Sequence, residues 1–134
     1  MLPELARIFA IAACTALLVG CNGGTVDRHA LTNDASTVDS IACEAALLAH
    51  DVARGKTISN YTREQAEELE VQSSNLADAL AERPALSSIE QRVRAEARNA
   101  AKLATTLRRL RDHPADRDVA TSVEQKLAKL GSCP

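Results

Sequence analysis

From residue 37 onward, apolar side chains recur at intervals of three and four in four consecutive stretches, a period that fits amphipathic helices and not half-buried strands. Residues 37–54 carry Ile41, Ala45, Leu48 and Val52 on one face, and residues 62–83 carry Ala66, Leu69, Ser73, Leu76 and Leu80. Residues 88–112 carry Ile89, Val93, Ala97, Ala100, Leu103, Leu107 and Leu110; residues 115–130 carry Val119, Val123, Leu127 and Leu130. Punctuation agrees with the period. Ser36 with Asp39, Thr62 with Gln65, and Ser87 with Glu90 read as capping boxes, while Gly55, Pro84, Pro114 and Gly131 read as stops. The connections are short, and short connections place consecutive helices antiparallel. The expected fold is therefore all-α, a small antiparallel up-down bundle of four helices, with a three-helix version as the alternative.

Charge supports the pairing of the middle two helices. Residues 62–83 hold six acids and two bases, whereas residues 86–113 hold seven bases and three acids. Opposite signs on neighbouring helices favour their contact, although exposed ion pairs contribute only about 0.2–1 kcal/mol each. The net formal charge of −2 shows no bias toward nucleic acid. Phe9 and Tyr61 are the only aromatic residues, so base-stacking surfaces and sugar platforms have nothing to be built from.

The chain upstream of the bundle has a different character. Ile8–Val19 is an apolar run without a polar face, ending in Leu18-Val19-Gly20-Cys21 and passing directly into Asn22-Gly23-Gly24-Thr25. It has the length of a signal-peptide core and is too short for a membrane-crossing helix, which needs roughly 20 apolar residues. These last four residues resemble a bacterial lipobox, and the resemblance is confined to residues 1–21. It implies cleavage between Gly20 and Cys21 and lipidation of Cys21, hence a domain tethered to the cell membrane or the outer membrane by acyl chains. A plain secretory signal is the alternative. Arg7 is the only basic residue of the leading segment and is opposed by Glu4. Residues 22–36 are small and polar and read as a flexible tether, up to about 50 Å at full stretch. The expected organisation is a signal peptide at 1–20, a lipidated tether at 21–36, and the bundle at 37–134.

Four cysteines are divided by this reading. Cys14 lies in the signal and Cys21 takes lipid, which leaves Cys43 and Cys133 for a disulfide in an exported domain. In an up-down bundle of four, the start of the first helix and the end of the last share one end, so the expected bridge lies at the tether end.

No catalytic constellation stands out. His29 falls in the tether, His50 is expected to turn toward solvent, and His113 sits beside a helix-ending proline. His113 with Asp116 and Asp118 is a weak metal candidate, since acids in a first helical turn are commonplace. There is no Glu-x-x-His pair, no haem-attachment motif, no nucleophile elbow and no phosphate loop. No cofactor and no enzymatic activity are expected. The remaining candidate surface is the basic face of the third helix: Arg92, Arg94, Arg98, Lys102, Arg108, Arg109 and Arg111. It reads first as pairing with the acidic second helix, and second as a docking face for an anionic partner. The functional expectation is a non-catalytic envelope lipoprotein that interacts with another envelope protein; a lipid or small apolar ligand held between the helices is the alternative.

Overall fold

The computed structural model describes residues 24–133. The predicted signal segment and Cys21 lie outside the described residues. Four helices follow in order, α1 (Arg28–Ala53), α2 (Ser59–Glu82), α3 (Glu90–Asp112) and α4 (Arg117–Leu127), and they form the expected all-α bundle. The α2–α3 hairpin is the most extensive interface, as the opposite charges of these two helices anticipate. α1 touches all three of the others, and α2 does not reach α4. The cross-section is thus a rhombus with α1 and α3 on its short diagonal. Ala42, Ala45 and Ala49 of α1 and Ala100 of α3 share the central core and are small enough to let the two helices approach.

All of Ile41, Ala45, Leu48, Val52, Ala66, Leu69 and Ser73 are buried, as are Val93, Ala100, Leu103, Leu107, Leu110, Val123 and Leu127. Leu76, Ala97, Val119 and Leu130 are half-buried at the margins. α1 ends where Gly55 was expected to stop it. Gly55 has φ +68, its N–H bonds the Val52 carbonyl at 2.9 Å, and the Lys56 N–H bonds that of Asp51 at 2.8 Å. This double closure needs a left-handed residue, which glycine adopts without a Cβ clash.

The starts of the first three helices differ from the capping-box expectation. α1 begins at Arg28 rather than Thr37, capped by Asp27, whose side chain accepts from the Ala30 N–H at 2.8 Å. Ser36 lies inside the helix, and its carbonyl accepts from the Ser40 hydroxyl. α2 begins at Ser59, so Thr62 is also interior; it is fully buried, with its hydroxyl bonded to the Ile58 carbonyl. α3 starts at Glu90 without a side-chain cap.

The early start of α1 removes most of the predicted tether. Nine of its positions, 28–36, are helical because a second hydrophobic cluster rewards ordering them: Val26 and Leu31 pack with Leu80, Ile89 and Val93. Val26 also pairs with the α2–α3 connection, its N–H bonding the Pro84 carbonyl at 2.8 Å and its carbonyl accepting from Leu86 N–H at 3.3 Å. Four residues separate Cys21 from Val26, a span of five Cα–Cα steps and at most about 18 Å.

α4 is much shorter than its partners, about 16 Å against about 39 Å for α1. Beyond Leu127 the chain turns through Ala128–Leu130 and crosses to the middle of α1, where Cys133 and Cys43 meet at disulfide distance with Cα atoms 5.3 Å apart. The expected pair therefore forms, but halfway along α1 and not at its start. The cause is a first helix that starts earlier and a fourth that ends sooner than the pattern suggested. Gly131 makes the crossing possible: a Cβ there would meet Ala42 Cβ at 3.0 Å and the two sulfurs at 3.3 and 3.4 Å. One half of the molecule is a four-helix bundle, and the half that holds Val26 has three helices.

Candidate functional site

The seven cations assigned to the basic face of α3 do not act together. Arg108 and Arg111 turn toward α2 and close on one carboxylate: Arg108 Nε donates to Glu70 Oε1 at 2.8 Å and Arg111 Nη1 to Glu70 Oε2 at 2.6 Å. Glu70 is a buried acid that the period alone did not place in the core. Its two ion pairs compensate its removal from water. Arg111 also holds Asp112, and hydrogen bonding to that carboxylate raises the guanidinium pKa further above its ordinary value, with Glu70 adding to the effect. Arg94 pairs with Glu90 one turn earlier on α3. Arg109 is exposed and makes no ion pair among the described residues. Arg92 lines a shallow groove between α1 and α3 with Asp39 and Glu96.

Arg98 and Lys102 turn the other way, toward α4. There they meet two cations the sequence reading did not include, Lys126 and Lys129. The four border a groove of about 590 Å³ whose remaining lining is Ala101, Thr105, Thr106 and Leu130. No acid lines it, and none of the four cations makes an ion pair among the described residues. The two threonines add little polarity. Thr105 Oγ1 donates to the Ala101 carbonyl at 3.0 Å and Thr106 Oγ1 to the Lys102 carbonyl at 2.8 Å, so each hydroxyl proton is committed within its own helix. The result is an apolar floor between two cationic banks. No family model matches this chain, and no curated protein or solved structure matches it significantly. The site has to be read from its own chemistry.

The histidines and acids give no competing centre. His50 does not face open solvent as expected; its Nδ1 lies 2.9 Å from Glu124 Oε1 across the α1–α4 contact, with a third of the side chain exposed. Position 50 looks outward on an isolated helix, but α4 packs along that side. His29 is in the first turn of α1 beside Asn33, and His113 caps α3. Asp116 Oδ1 accepts from the N–H groups of Asp118 and Val119, which commits it to capping α4. Among the described residues, no group of three or more His, Cys, Asp or Glu side chains is arranged to hold a metal ion. No described helix is long and apolar enough to cross a membrane.

Glu96 of α3 is the one carboxyl with a resolved upward shift. Burial is the main cause; a hydrogen bond from Asn99 opposes it, and the charges of Asp39 and Asp34 reinforce it. The folded state therefore holds this proton more tightly than the unfolded chain, and stability falls as pH rises from the ordinary carboxylate range through the raised pKa. Glu96→Gln should melt at a higher temperature than the parent at pH 7 and at nearly the same temperature at pH 3, as followed by helical circular dichroism. A lower melting temperature at pH 7 would mean that Arg92 stabilises the ionised form enough to reverse the balance.

Proposed function

We propose that this protein is an exported lipoprotein, held in a membrane by acyl chains on Cys21, whose helical bundle acts in the cell envelope by binding rather than by catalysis. The observation that carries the reading is the pairing of Cys43 with Cys133 downstream of Leu18-Val19-Gly20-Cys21. Disulfides persist in extracytoplasmic compartments, and a lipobox-type signal delivers a chain to such a compartment. Two or three acyl chains make a durable anchor, because each buried methylene adds about 0.8 kcal/mol. Val26, pinned to the α2–α3 connection, would then keep the three-helix end of the bundle close to the bilayer. Interaction with another envelope protein is the first role that fits such a module. Capture of a lipid is the second, and the cationic groove favours it.

The anchor is tested by intact mass of the protein from its native membrane under non-reducing conditions. The expected mass lacks residues 1–20, carries a diacylglyceryl group on Cys21, and is two hydrogens short of the dithiol. Cys21→Ala should leave an uncleaved precursor. A full-length mass with four free thiols, or normal processing and membrane retention of Cys21→Ala, would overturn the proposal.

A further inference from the structure

We propose that the groove between α3 and the end of α4 binds a single-chain anionic lipid, with its headgroup held by Arg98, Lys102, Lys126 and Lys129 and its tail laid along Ala101, Thr105, Thr106 and Leu130. Elsewhere on α3 three of the cations are matched, Glu70 taking Arg108 and Arg111 and Glu90 taking Arg94, while unpaired ones such as Arg92 and Arg109 do not line this groove. In the groove four like charges converge with no acid among the lining residues. That arrangement is mildly self-repulsive, and an anion relieves it.

The floor defines the rest of the ligand. Its hydroxyl protons are already given to the Ala101 and Lys102 carbonyls, so the floor has no side-chain donor left and little with which to recognise a sugar, a base or a peptide carbonyl. It has no aromatic ring to stack on. A plain hydrocarbon tail demands neither. The volume of about 590 Å³ lies within the roughly 300–1,000 Å³ usual for small-molecule sites. The groove exists because the fourth helix stops: Gly131 and the Cys43–Cys133 pair draw the chain across to α1, leaving α3 uncovered from about Lys102 back toward its start. Arg98 lies about 12 Å along α3 from Glu90, short of the helix midpoint and on the side of the end where Val26 packs with Ile89 and Val93, so the anchoring leaflet is the nearest lipid reservoir. That last point rests on the Cys21 anchor; the chemistry of the groove does not.

The test uses the full chain in neutral phosphatidylcholine vesicles with a diazirine-bearing palmitate as probe, photolysed and mapped by peptide mass spectrometry. Labelling should concentrate on 98–106 and 126–130. Lys102→Glu with Lys126→Glu should lower it by about tenfold or more. Ala101→Trp, at an exposed position, should lower it similarly by filling the floor while all four charges remain, and circular dichroism of each variant reports that the bundle is intact. A diazirine-bearing fatty alcohol should label the groove far less than the acid. Equal labelling by acid and alcohol, labelling spread over all helices, or no loss in folded variants would overturn the proposal. So would displacement of the probe by an acidic peptide but not by oleate. The intact mass of the same sample reports Cys21 lipidation separately, so failure of the anchor and failure of the groove are distinguishable.

Discussion

Replacing Cys43 and Cys133 by serine should lower the unfolding free energy by about 4–5 kcal/mol, measured by guanidinium denaturation under oxidising conditions. The pair closes a separation of 90 residues, and in the chain-entropy treatment a loop of that length costs the unfolded state the corresponding freedom. The position of the pair gives the variant a second signature. α4 joins the bundle through α1 and α3 only, and its end is held by Cys133 at the middle of α1. The amides of Val123–Leu127 should therefore lose hydrogen-exchange protection before those of α2 and α3. A stability loss below about 1 kcal/mol, with uniform protection, would show that the noncovalent packing of α4 suffices and that the pair is dispensable.

Leu107→Ala should cost about 3–5 kcal/mol, near the upper end for such truncations, because the site cannot collapse. Leu107 is wholly buried in the central cluster, to which α1 contributes Ala42, Ala45 and Ala49. Alanines have no rotamers with which to fill a void. Leu47→Ala, at an exposed position on α1, should change stability by less than about 0.5 kcal/mol. Thermal and chemical denaturation of both variants decides between a central core that is rigidly packed and one loose enough to absorb the loss. Similar, small effects for the two would contradict the close approach of α1 and α3.

The identity of the four helices, most of their buried stripes and the partner of Cys43 were legible in the residues themselves. Each rests on a local or near-local rule: apolar spacing, a glycine or proline stop, and the count of cysteines downstream of the leading apolar run and its Cys21. Helix starts were less legible. Ser36-Asp39 and Thr62-Gln65 match the capping pattern, yet Asp27 and the buried contacts of Leu31 extend α1 backward, and Thr62 goes inside. A capping box is worth about a kilocalorie, which burial of one or two aliphatic side chains exceeds. The basic face was legible as a row of cations but not as two surfaces. Glu70 draws Arg108 and Arg111 to one side, while Lys126 and Lys129 join Arg98 and Lys102 on the other, and both groupings involve residues distant in the chain.

By itself, then, the sequence determined that this protein forms four amphipathic helices, short-looped and antiparallel, because helical period and turn chemistry act over a few residues. It also determined that the core would be aliphatic, since almost no aromatic side chain is present to build it otherwise. Only the tertiary structure decided that α1 and α3 meet across the bundle, that Val26 is pinned beside Pro84 and Ala85, and that a cationic groove opens where α4 stops. Those outcomes depend on the relative lengths of the helices and on the volume of side chains that face one another. Such quantities exist only once the helices are packed.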